Sequence, residues 1–283
     1  MIKANNTMFA LYLAMMDYFR KYLSEKYPSS KSMEETKHYQ TVIITKIVQM
    51  FHSIEILTKN TLDEVSARCL LRGILDSVTT YSFIYERKDK DDILFRHYLY
   101  ALDGWREFKK SVILVSEGNV YKYTEDYACD FVIMQIEEKL RNHVYYTQDS
   151  LVVEELIQKA NWKYKSFQDT SKLSYLEMYK DINFDANTSD YYQGYFSQFV
   201  HGLYFSNKCT TDSEQMKRVL YECIPIADKF IQSISQTFHD KEMLISFLGS
   251  DTIQTFLNST DFVFDDLFEF TKALVRNDKT ILI

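Results

Sequence analysis

Apolar residues recur at helical spacing along almost the whole chain, interrupted by short polar clusters. The pattern predicts a first helix from about Asn5 to Lys26, ended by Tyr27 and Pro28 because proline disfavours helical geometry in the residue before it. A second runs from a cap at Ser30 or Ser32 to about Asn60, with Glu34 and Glu35 in its first turn. Thr61 or Asp63 opens a third that ends near Arg87. The charged run Lys88 to Asp92 leads into a fourth that reaches about Ser116, where Glu117, Gly118 and Asn119 stop it. Further helices are predicted over about 124–146, 150–160, 168–180, 188–207, 212–239 and 241–275, the last broken near Gly249. Pro225 is expected to kink its helix. No repeat, low-complexity linker or composition shift marks a boundary. The expectation is an all-α bundle of about 9–11 helices, with a bundle domain over residues 1–240 and a helical extension over 241–283 packed on it.

Composition strengthens the helical reading. Six glycines and two prolines in 283 residues leave little material for strands and tight turns. Aromatic residues make up 16% of the chain, which suits a well-filled helical core as well as it suits a ligand pocket. The net charge of -7 argues against broad attraction to a phosphate backbone, although a local basic groove stays open. Cys69, Cys129, Cys209 and Cys223 lie far apart without a C-x-x-C spacing, which points to free thiols in a reducing, cytoplasmic setting. The apolar run Met8 to Met16 ends at Asp17 and Arg20, too early for a membrane span, so no membrane association is expected.

Three helices carry polar residues that look out of place. The third is apolar nearly all round, with Ala67, Leu70, Ile74, Tyr81 and Tyr85 on one side and Val65, Leu75, Thr79 and Phe83 on the other. Arg68, Arg72 and Asp76 share one stripe of it at spacings of four, so Arg72 can pair with Asp76 one turn on. Such a stripe is either an internal ion pair that fixes helix register or the wall of a cleft that takes an anion or polar ligand. The fourth helix is expected to bury Tyr98, Ala101, Leu102, Trp105 and Phe108 and to turn Arg96, Tyr100, Asp103 and Glu107 outward. In YYQGYFSQFVHG, residues 191–202, Ser197 and His201 fall on a polar stripe beside Gly194. Spacing of four lets a hydroxyl meet an imidazole, but a hydrolytic serine also needs an orienting acid and oxyanion donors, and no G-x-S-x-G is present. Glu35 and His38 form the chain's one Glu-x-x-His pair, short of a helical di-metal set. Glycine-rich nucleotide loops are missing, and no cofactor or metal is expected.

Four segments, ARCLLRGILDSVTTYSFI at 67–84, FRHYLYALDGW at 95–105, NWKYKSF at 161–167 and YYQGYFSQFVHG, resemble a bacterial family of all-helical proteins without an assigned reaction. The resemblance covers roughly residues 35–210. Arg72 and Asp76 match the family's arginine followed by an acid four residues later, usually Glu, from which Asp76 departs by one methylene. Arg96 with Tyr98, Trp162, and the Ser-x-x-x-His pair Ser197 and His201 match its other signatures. The bundle also looks like the HEPN superfamily, many members of which are ribonucleases of toxin or phage-defence systems. Those enzymes place a His four to six residues after an Arg on one helix, a spacing missing here, so His201 would have to work with Arg72 or Arg96 from another helix.

The resulting expectation is a polar cleft built from Arg72, Asp76, Arg96, Trp162, Ser197 and His201 that binds a phosphate-bearing or other anionic ligand, RNA or a nucleotide, in stress or phage defence. The arginines would hold the anion, Trp162 would stack on a base, and His201 would be the proton-transfer group. The rival expectation is a non-enzymatic interaction or scaffold protein whose polar residues form an internal network. Its protein partner or second copy would dock on the aromatic C-terminal segment Ser259 to Val275.

Overall fold

The computed structural model describes residues 2–30, 32–115, 122–203, 206, 212–251 and 253–254. The stop signal at residues 117–119, Cys209 and the aromatic segment 259–275 lie outside the described residues. The structure is 80% helical and all-α. The described helices are α1 (Ile2–Lys26), α2 (Thr36–Ile56), α3 (Glu64–Tyr85), α4 (Lys90–Val115), α5 (Lys122–Arg141), α6 (Val144–Gln148), α7 (Ser150–Lys159), α8 (Tyr175–Asp181), α9 (Ala186–Val200), α10 (Ser213–Phe238) and α11 (Lys241–Leu248). A hairpin of β1 (Tyr164–Ser166) and β2 (Asp169–Lys172) separates α7 from α8. The chain forms two compact units: Met1–Glu86 with Tyr175–Ile283, and Arg87–Ser174.

In the first unit, α10 carries a long apolar stripe, with Met216, Val219, Cys223, Ile226, Ala227, Phe230, Ile231 and Ile234 buried. Polar rungs fix its direction against α3. Arg68 meets Glu222, Ser82 meets Ser233 at 2.7 Å and Tyr81 meets Thr237 at 2.6 Å. Partner numbers climb together, so α3 and α10 run parallel. Tyr12 with Asp228 at 3.0 Å and Lys26 with Asp240 at 2.7 Å set α1 parallel to α10 in the same way. Buried hydroxyls that partner each other cost little, and they hold register where apolar contacts alone would allow sliding. The stretch Thr36–Thr61 is long and apolar enough to cross a membrane, and its Ile44, Ile47, Val48, Phe51 and Ile54 are core residues here.

The second unit packs α4 antiparallel to α5, joined by Arg106 to Glu137 at 2.9 Å and Lys109 to Asp130 at 2.6 Å. Phe95, Leu99, Leu102, Ile136, Leu140, Val153 and Leu156 fill its core. The buried arc of α4 is rotated from the expected one. It centres on Phe95, Leu99 and Leu102, which takes Arg96 inward and leaves Phe108 51% exposed.

Helix ends follow side-chain chemistry. Asp63, Asp149, Asp185, Asp212 and Asp240 each accept a backbone N–H at the start of α3, α7, α9, α10 and α11. Ser30 and Ser32 do not cap α2 as expected. Their hydroxyls close a local turn, with Glu34 N–H donating to Ser32 Oγ at 3.2 Å, and α2 starts after Glu35 without a side-chain cap. α2 ends in a wide five-residue turn, Leu57–Thr61, and Leu62 takes a left-handed backbone. The helix expected over about 168–180 is instead the hairpin followed by α8, because Tyr164 pairs with Lys172 and Ser166 with Asp169.

Candidate functional site

On α3 the polar stripe forms consecutive turns of an ion-pair ladder. Arg68 is fully buried. Its Nη1 pairs with Glu64 one turn earlier, and its Nε and Nη2 donate to the two Glu222 oxygens on α10 at 3.1 and 3.2 Å. The guanidinium also lies 5.1 Å from the ring centres of Tyr195 and Phe199 on α9. One turn on, Arg72 is half-buried. It donates through Nη1 to Asp76 and through Nε to Ser197 Oγ at 3.3 Å, and Tyr175 of α8 lies 5.6 Å from it. The side chains of Arg72 and Asp76 are 15% and 32% exposed, so this turn of the ladder opens to solvent. Arg72 Nη2 has no hydrogen-bond partner among the described residues.

Ser197 is committed elsewhere than to His201. Its hydroxyl donates to the Gln193 carbonyl at 2.6 Å and accepts from Arg72. α9 stops at Val200, short of the expected end near 207, because Gly202 adopts φ +59. Gly202 N–H then reaches the Phe199 carbonyl at 3.2 Å, and Leu203 N–H reaches that of Gln198 at 2.9 Å. This is the paired closure that a glycine one residue past the cap allows. His201 is therefore the cap residue, exposed, with no hydrogen bond to Ser197 through its ring among the described residues.

Arg96 and Trp162 belong to the second unit. Arg96 is 2% exposed. Its Nε donates to both Asp92 oxygens at 3.0 and 3.1 Å, its Nη1 donates to the Trp162 and Tyr164 carbonyls at 3.1 and 2.8 Å, and it sits 3.7 Å from the Tyr164 ring centre. Tyr164 hydroxyl donates to Asp92 as well, and burial raises its pKa despite the neighbouring Arg96. Trp162 is buried and its indole N–H donates to Asp103 at 3.0 Å. Arg96 thus ties the hairpin to α4.

The structure therefore joins Arg72, Asp76 and Ser197 directly, and separately joins Arg96 to the backbone of Trp162. Sequence reasoning passed over Glu64, Glu222, Tyr175 and Asp92. Glu64 and Asp92 each stand four residues before the arginine they hold, a signal that spacing could have supplied. Glu222 and Tyr175 are more than a hundred residues away from their partners and left none.

No family model, curated protein or solved structure matches the chain. Its resemblance to the bacterial helical family rests on the four sequence segments alone; the structure adds that the chain is mostly helical.

Proposed function

We propose that the chain binds an anionic, phosphate-bearing ligand at the open edge of Arg72. The observation that carries this reading is a guanidinium whose Nη2 has no partner among the described residues while its other nitrogens are held by Asp76 and Ser197. An arginine oriented in advance loses less freedom on engaging an oxyanion than a loose one. Asp76 offsets part of its charge, so affinity for bare phosphate would be weak, on the order of millimolar, and a nucleotide or RNA would need further contacts. Tyr175 beside the guanidinium offers one ring for them. The HEPN-like, defence-associated reading enters here as an extension of the sequence resemblance, with His201 as its proton-transfer candidate.

The test titrates wild type, Arg72→Ala and Arg72→Lys with inorganic phosphate, a nucleoside triphosphate and a short RNA, and incubates wild type and His201→Ala with mixed RNA. Loss of binding in Arg72→Ala with the fold intact supports the reading; no binding by wild type removes it. A second reading, a scaffold without ligand, draws on Arg68, Arg96 and Lys229. Lys229 is 5% exposed and donates to Glu86 at 3.0 and 3.1 Å and to the Ile182 carbonyl at 2.8 Å, so these three buried cations serve internal partners.

A further inference from the structure

Two carboxylates and one guanidinium are buried together where α3, α9 and α10 meet. Arg68 and Glu64 are 0% and 4% exposed, and the Glu222 side chain 13%. Within the buried cluster one positive charge therefore faces two negative ones, while Arg218 acts on Glu222 from the exposed face of α10. Glu64 Oε2 and Arg68 Nη1 are in addition buried with no hydrogen-bond partner among the described residues, although the two side chains are ion-paired. An ionised oxygen in that position is costly, whereas a neutral carboxyl oxygen is tolerated at much lower cost. A single proton shared by the two carboxylates would relieve the charge imbalance.

We propose that the Glu64–Arg68–Glu222 cluster takes up one proton on folding, and that the seating of α9 on α3 therefore tightens as pH falls. The link to α9 is steric and electrostatic: Tyr195 and Phe199 flank the Arg68 guanidinium, and Ser197, between them in sequence, holds Arg72. Control of anion affinity at Arg72 follows, and that step rests on the function proposed for Arg72.

Burial holds the Glu222 carboxyl above its ordinary value of 4.5, with Arg68 and Arg218 pulling the other way. A carboxyl raised in this way stabilises the folded state most below 4.5, and the contribution fades as pH climbs through the raised value. The other groups around the cluster do not mask this. Arg218 on α10 is exposed, Tyr192 on α9 is pushed up to about 12, and burial drives the Cys223 thiol well above its usual value. Lys59, on the turn before α3, is held by Glu55 at 2.7 Å.

The test is hydrogen exchange of ligand-free protein near pH 5 and pH 7.5, corrected for intrinsic rates, with α7 as the internal reference. Wild-type α9 amides should be protected up to about tenfold more at the lower pH for each pH unit over which the proton is taken up. Glu222→Gln, which removes the charge while keeping the shape, should show a flat response at the acid wild-type level, and Glu64→Gln supplies a second variant. Protection that is equal at both pH values, or greater at the higher one, overturns the proposal, as does a Glu222→Gln variant that keeps the wild-type response. Inorganic phosphate titrated at both pH values separates the two claims. A pH-dependent α9 without phosphate binding removes the Arg72 reading and leaves the proton anchor standing.

Discussion

Replacing Arg96 with alanine distinguishes a structural arginine from a ligand-binding one. The substitution removes hydrogen bonds to both Asp92 oxygens and to the Trp162 and Tyr164 carbonyls, and it uncovers the Tyr164 ring. Both carbonyl contacts are buried, so water does not replace the lost donor for free. Each orphaned carbonyl costs about 1–3 kcal/mol, and breaking a buried ion pair costs about 3–5 kcal/mol in total. Asp92 keeps the Tyr164 hydroxyl as a donor and is 19% exposed, which limits the penalty on the acid side. A net loss of about 3–5 kcal/mol is expected, a large share of a typical domain's stability. Because the chain has two units, global denaturation is not a safe two-state measure, so the assay is hydrogen exchange of the hairpin, residues 164–172, supported by urea unfolding. Arg96→Lys should recover only part of the loss, since one ammonium cannot span a carboxylate and two carbonyls in the same plane. The reasoning fails if Arg96→Ala costs less than about 1 kcal/mol and leaves hairpin exchange unchanged, and it fails outright if anion binding is what disappears.

Other perturbations test single links. Gly202→Ala meets open space but a backbone at φ +59, so it should cost about 1 kcal/mol by chemical denaturation through strain alone. Asp63→Ala removes the N-cap of α3 and should cost about 1 kcal/mol at neutral pH. Its hydrogen bonds to Ser66 hold the Asp63 carboxyl below the usual value, so the gap between wild type and variant should narrow as pH falls through that lowered value. Lys229→Met strands Glu86 beside a buried site and should cost about 3 kcal/mol, while Lys229→Met with Glu86→Gln should be more stable than Lys229→Met alone, read by urea midpoints.

The helical period and the scarcity of glycine and proline were enough to place α1, α3, α4 and α10 near their true limits, because each is long and sharply bounded. The hairpin escaped the same reasoning. Its strands are three and four residues long, too short for an alternating pattern to stand out, and no glycine marks its turn. Tyr164 goes inward there because Arg96 and Asp92 receive its ring and hydroxyl, a tertiary reason that is invisible in local spacing. α9 ends earlier than its side-chain pattern predicts for a different cause. His201 and Gly202 continue a helical pattern of side chains, and only the left-handed backbone at Gly202 ends it.

The site was legible as a set of residue types and not as a set of states. Arg68, Arg72 and Arg96 look alike in sequence, each four residues from an acid on its own helix. What separates them is the number of acceptors that distant elements bring. Glu222 brings two acceptors to buried Arg68, the backbone of Trp162 and Tyr164 brings two to buried Arg96, and part-exposed Arg72 receives only a serine hydroxyl among the described residues. A guanidinium has five donors, so an i,i+4 carboxylate alone never decides whether it is a bolt or a binding group. That decision belongs to tertiary acceptors, and it is why Arg72→Ala and Arg96→Ala should part company, the first acting on anion binding and the second on stability.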